Sequence, residues 1–169
     1  MNYEQELYNA IALLNFFNPE ATRATENGTV FKIQGISGKD DFQAVGRVVL
    51  DLQEEPLPVE FMDFTLILAK NVDLSLLDEI NEKLYEINLL FKAGVFSIEA
   101  DGTLLFEAYF PVIRDDIETS LKLFIAEFNN VSDFLDGLYP YLLRVIALPN
   151  ESDLNEYIEA ALSLLDSNE

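Results

Sequence analysis

The amino-acid sequence predicts an α+β fold: a two-layer structure of one antiparallel sheet with flanking helices, in the order α-β-β-β-α-β-β-α-α. Three observations predict it. Apolar residues recur with a period of two in several short runs, as in half-buried strands. Tight turn signals join those runs, so consecutive strands pair antiparallel. Stripes with helical spacing precede, divide and follow the strand groups, which gives the apolar face of the sheet a layer to pack against.

Each element has its own signal. Tyr3, Leu7, Ala10, Ile11, Leu14 and Phe17 form a helical stripe over 2–17, stopped by Pro19. Residues 18–28 are polar and are expected to be a loop. Phe31 and Ile33 alternate with Lys32 and Gln34 in a first strand, and 37–40 (SGKD) is a turn. A second strand over 44–52 places Val48, Leu50 and Leu52 on one face and Arg47, Val49 and Asp51 on the other. Pro56 and Pro58 mark a connection, and a third strand near 59–68 aligns Met62, Phe64, Leu66 and Leu68. Asp73 or Ser75 caps a helix carrying Leu77, Ile80, Leu84, Ile87 and Phe91, with Gly94 suited to the position past its end.

The segment 95–112 predicts a hairpin around Asp101-Gly102, the pair preferred by a two-residue type I′ turn. Asp115 with Glu118 resembles a capping box for a helix whose stripe includes Ile117, Leu121, Phe124, Ile125 and Phe128. Asn129-Asn130 is a candidate interruption, Pro140 is expected to kink or break the continuation, and Pro149-Asn150 ends it. A last amphipathic helix near 152–166 presents Leu154, Ile158, Ala161 and Leu165.

Composition narrows function. With 169 residues, half of them apolar, and no linker or repeat, the chain is expected to form a single domain, 1–169. Ten basic residues against 31 acidic ones give a formal charge of −21. No two basic residues adjoin, which argues against nucleic acid and anionic membrane as partners. Cysteine and histidine are absent. Thiolate metal sites, disulfides, cysteine nucleophiles and triads of the usual kind are therefore excluded, and no tightly bound transition metal is expected. The acidic start of the chain lacks a basic n-region, and no apolar run reaches membrane-spanning length, so a cytoplasmic location is expected.

The stretch Phe96–Pro111, FSIEADGTLLFEAYFP, resembles the hairpin of the YbjN-like proteins, which are similar in fold to type III secretion chaperones. The resemblance extends over about residues 74 to 146, including the Tyr139-Pro140 step; the first 73 residues match in element order alone. It implies a type III secretion chaperone-like, helix-flanked antiparallel sheet, frequent dimerisation, and binding of protein clients or regulatory targets. It implies no catalytic residue.

Candidate chemistry is sparse. The acid pairs Asp40-Asp41, Glu54-Glu55 and Asp115-Asp116 adjoin in sequence, and adjacent side chains do not face each other as a catalytic acid and base must. The run 153–159 has calcium-like oxygen spacing at two positions but lacks the turn glycine. Glycines form no nucleotide-binding pattern, and no cofactor is expected. Lys32 and Arg47 are placed to meet on the second sheet face.

That second face is the most informative feature. It mixes Lys32, Gln34, Arg47, Asp51, Asp63, Thr65, Ser97, Glu99 and Glu107 with Val49, Phe61, Ile67, Leu105 and Tyr109. Such a face is either an exposed sheet with scattered apolar residues, or one covered by the last helix, or a partner or dimer surface formed by the five apolar residues. The expected function is a non-enzymatic protein-interaction module, chaperone-like or regulatory, and the resemblance implies a homodimer. The alternatives are a carboxylate-dependent hydrolase and a small-molecule sensor with an apolar pocket.

Overall fold

The computed structural model describes residues 6, 9–10, 23–25, 28–34, 43–50, 59–91 and 94–159. Its centre is an antiparallel sheet of six strands: β1 (Arg23–Thr25), β2 (Gly28–Gln34), β3 (Gln43–Leu50), β4 (Val59–Ala69), β5 (Val95–Ile98) and β6 (Leu104–Ile113). The spatial order is β1-β2-β3-β4-β6-β5, so the C-terminal hairpin enters with β6 beside β4 and leaves β5 at the edge. Two long helices, α1 (Leu77–Leu90) and α2 (Ile117–Ala147), complete the layer structure. The α+β class and the antiparallel sheet are as expected.

Strand β1 corrects the expectation of a loop over 18–28. Arg23 lies opposite Val30 and Thr25 opposite Gly28. The run Arg23-Ala24-Thr25 is too short to carry a period-two signal, and the strand exists because β2 offers it a template. Of the N-terminal helix, Glu6, Asn9 and Ala10 are described and helical. The turn at 37–40, the prolines at 56 and 58, and the acid pairs at 40–41 and 54–55 lie outside the described residues.

In β4 the alternation is sharp. Met62, Phe64, Leu66 and Leu68 are buried while Phe61, Asp63, Thr65 and Ile67 point to the other face. In β6, Leu104, Phe106, Ala108, Phe110 and Val112 face the same core. Opposite them on α1 stand Ile80, Leu84 and Ile87, one helical stripe. The β4–β6 register shifts between Ile67 and Ala69, a bulge at the end of the ladder.

The hairpin turn is not the two-residue type. Glu99 N–H donates to the Thr103 carbonyl at 2.9 Å, and Gly102 N–H donates to the Glu99 carbonyl at 2.9 Å. Within the turn Gly102 alone has positive φ, at 80°, so the loop holds three residues, Ala100 to Gly102, with glycine at the left-handed position. Val72 N–H donates to the Gly102 carbonyl at 2.9 Å, docking the loop onto the β4–α1 connection.

Gly94 is likewise not the glycine ending α1, whose C-cap is Phe91. A Cβ on Gly94 would stand 2.3 Å from Phe106 Cζ, so the residue is small because the chain crosses an aromatic ring. Asp73 does cap, accepting from Ser75 N–H at 2.9 Å, but it starts the short 3-10 turn Leu74–Leu76 that leads into α1.

Helix α2 departs furthest from expectation. Asp116, not Asp115, is its N-cap and accepts from Thr119 N–H at 3.0 Å, while Asp115 takes a left-handed φ of 62°. The helix then runs for 31 residues through Asn129, Asn130 and Pro140 without a break. The reason is packing. Phe124, Phe128, Val131, Leu135, Leu138, Tyr141, Leu142 and Val145 form one buried stripe, whereas Asn129, Asn130 and Pro140 lie on the exposed side. There, water can satisfy the Asp136 carbonyl that Pro140 deprives of a donor. Pro149 starts a second 3-10 turn, and residues 154–159 are helical. Asp153 precedes them and accepts from Asn155 N–H at 2.8 Å, so the calcium-like run begins as a helix cap.

Two outcomes follow. Gly102→Val should destabilise the protein by about 1–3 kcal/mol, since a β-branched residue is strained at this φ and its Cβ would stand 2.8 Å from the Val72 carbonyl oxygen; urea melts with equal midpoints would contradict it. The second concerns Asp116, whose pKa is lowered from 3.8 first by the Thr119 backbone hydrogen bond. A folded-state pKa below the unfolded one adds stability above the unfolded value, and that stability is lost as pH falls through the folded value. Asp116→Asn keeps an acceptor without a titrating charge. The wild-type advantage over this variant in urea midpoint should therefore shrink on acidification below 3.8, and a constant difference across the acid range would contradict the assignment.

Candidate protein-interaction face

The cross-strand register defines the face opposite the core row by row. One row runs Lys32, Val45, Ile67, Leu105, Ser97 across β2, β3, β4, β6 and β5. The next runs Arg23, Val30, Arg47, Thr65, Glu107, Val95 across all six strands. A third contains Val49, Asp63 and Tyr109, and a fourth Phe61 and Pro111. All five apolar residues singled out in the sequence thus occupy one face. Lys32 and Arg47 hold diagonal positions rather than a direct pair, and Arg23 joins the same rows.

Exposure separates the five. Phe61 is 54% and Tyr109 66% exposed, and they are diagonal neighbours on adjoining strands. Ile67 is half-buried. Leu105 is only 8% exposed, between its cross-strand neighbours Ile67 and Ser97. It is a packed position and is removed from the set that can receive a partner. Val49 is placed by register opposite Asp63. Val59 and Val95, both exposed, extend the apolar surface. Their parity with Phe61 and Ser97 put them on this face in the sequence already, but each sits at the first position of its strand, where a period-two pattern is hardest to see.

Three aspartates serve local structure. Asp73, Asp101 and Asp116 all have lowered pKa values. The Ser75 backbone N–H acts first on Asp73, the Thr103 side chain on Asp101 and the Thr119 backbone N–H on Asp116. A hydrolytic acid needs the opposite shift, a carboxyl held protonated by burial or a like charge. Among the described residues, no group of three or more acidic side chains is placed to hold a metal ion. Ion pairs such as Lys122–Glu118 at 2.6 Å are exposed helix-surface pairs.

Three concave surfaces lie among the described residues. One, of about 340 Å³, lies at the β6 edge between Val95, Tyr109 and Glu127. A second, of about 350 Å³, lies between the end of α1 and Asp153. A third, of about 190 Å³, is lined by Pro140, Tyr141, Arg144, Asp153 and Tyr157. There the Arg144 guanidinium donates to the Glu151 carbonyl at 2.9 Å, and burial raises the Tyr141 pKa. No helix among the described residues is long and apolar enough to cross a membrane.

The exposure contrast gives a direct check. Phe61→Asp should leave the unfolding free energy from urea melts within about 0.5 kcal/mol of wild type, as exposed substitutions usually do. Leu105→Asp should cost about 3 kcal/mol or more, because it buries a charge without a partner. Equal losses in the two variants would mean that the face is packed throughout. No family model and no curated protein matches the chain.

Proposed function

We propose that the chain is a non-enzymatic protein-interaction module, chaperone-like or regulatory, that docks protein through the outer face of its sheet. The observation that carries this is the exposed aromatic pair Phe61 and Tyr109 on the adjoining strands β4 and β6, flanked by exposed Val59 and Val95. Aromatic side chains supply large contact area at low entropic loss, and interfaces are enriched in them. A contiguous apolar surface within a chain of charge −21 is what a docking face needs: charge keeps the protein dispersed while the patch selects a partner. The resemblance of the hairpin to YbjN-like proteins, and through them to type III secretion chaperones, supports the same reading, and so does the place of that hairpin in the sheet.

The first partner to test is a second copy. Burial of about 800 Å² on each side makes an interface of standard size. Two chains of −21 repel, and salt screens that repulsion. Association through the apolar face should therefore tighten as salt rises from low to moderate concentration. Phe61→Asp and Tyr109→Asp should each weaken it. Sedimentation equilibrium across a salt series reads both effects. For partners other than self, a photo-crosslinking residue in place of Phe61 should yield a discrete adduct in the native host, and one in place of the exposed Asn129 should not. A monomer at every salt, together with no adduct from position 61, would overturn the proposal.

A further inference from the structure

The β6 strand is longer than the strand that covers it. It spans ten residues, Leu104–Ile113, and among the described residues β5 pairs with Leu104 to Glu107. Bonds at both ends show which way its backbone groups point. The Thr103 carbonyl accepts from Glu99 N–H, so the odd-numbered positions face β5. At the far end, Ser120 Oγ accepts from Ile113 N–H at 2.9 Å and lies 3.0 Å from the Ile113 carbonyl, which closes that end of the edge. Between these limits the alternation directs the N–H and carbonyl of Tyr109 and the carbonyl of Pro111 toward the edge. Alongside them lies the hollow of about 340 Å³, lined by Gly94, Val95, Glu107, Tyr109, Pro111 and Glu127.

We infer that this hollow receives an extended segment of a partner protein, added as a short strand against β6 and carrying basic side chains. An extended backbone is what matches outward-facing N–H and carbonyl groups on a strand edge. Val95 and Tyr109 are exposed and offer apolar wall, while Glu107 and Glu127 are the charged lining residues. Neither carboxylate is ion-paired among the described residues, and the chain as a whole carries −21. Lysine or arginine on the incoming segment complements both. A second copy of β6 would instead bring the same two acids against themselves. Pro111, which has no N–H, and Ser120, which engages Ile113, keep the open stretch short, so the contact is brief and indefinite edge-to-edge stacking is disfavoured.

The inference rests on the protein-interaction reading but uses the strand edge rather than the sheet face, and the test separates them. The probe is a labelled heptapeptide of alternating valine and lysine, compared with a counterpart of the same charge that is N-methylated at every amide. In the free protein, the Tyr109 amide should exchange with deuterium at least about tenfold faster than the Leu105 and Glu107 amides, which face β5. The peptide should slow Tyr109 exchange about tenfold, and the methylated counterpart should not. Glu107→Lys and Glu127→Lys should each weaken peptide binding about fivefold or more, while Phe61→Asp leaves it unchanged. A Tyr109 amide as protected as Glu107 in the free protein would overturn the inference, and so would equal binding of the two peptides, which signals charge attraction alone. Either result, with the crosslink from position 61 intact, removes the edge site and leaves the face; loss of that crosslink with peptide binding intact does the reverse.

Discussion

Phe64, fully buried in the central strand β4, is where the layers meet. Its ring contacts Phe110 of β6 at 5.0 Å between centroids and Phe128 of α2 at 5.7 Å, both edge-to-face. Phe124 stands 6.4 Å away and closes the group through its own contact with Phe110 at 5.0 Å. Edge-to-face pairs add about 0.5–1.5 kcal/mol each beyond their burial, and these tie β4 and β6 to the long helix. A second aromatic group anchors the other end: Phe91, just past α1, stacks on Phe134 of α2 at 3.8 Å and lies 5.7 Å from Phe106 of β6. The sheet, both long helices and the position of the outer face all depend on these two clusters.

Local features that look disruptive become tolerable within that frame. Proline in a helix interior costs about 3 kcal/mol in isolation, yet α2 carries Pro140 because a long buried stripe holds the helix from both sides of it. At β5 and at the end of β6, helix side chains cap the strand edge. Asn88 of α1 both donates to the Phe96 carbonyl at 2.9 Å and accepts from Phe96 N–H at 2.8 Å, so the outer edge of β5 is covered by a helix. Ser120 does the same for Ile113. The stretch of β6 between these two devices has no further strand beside it among the described residues, and it adjoins the exposed aromatics of the outer face.

The acidity of the chain divides into two uses. Some carboxylates are local punctuation: Asp73, Asp101, Asp116 and Asp153 each accept a backbone N–H within three residues, ordering a turn or starting a helix. Others, such as Glu107 and Glu127, sit beside exposed apolar surface and give it a sign. A negative rim around an apolar face speeds encounter with basic partners and holds like-charged ones away.

The period-two runs in β4 and β6, the helical stripes of α1 and α2 and the sharing of one face by Val49, Phe61, Ile67, Leu105 and Tyr109 are all determined by the sequence itself. Each follows from side-chain spacing along a single element, which the backbone geometry makes local. The tertiary structure decided the rest. Arg23–Thr25 became a strand because a neighbouring strand supplied its hydrogen bonds. Helix α2 stayed whole because burial against β6 outweighed the local penalties at Pro140 and the two asparagines. The loop at Gly102 took three residues because Val72 binds its carbonyl. Leu105 was buried while Tyr109 remained exposed, although both point to the same side of the same strand. Parity assigns a residue to a face, but what covers that face is set by elements distant in the chain, and spacing within one strand carries no information about them.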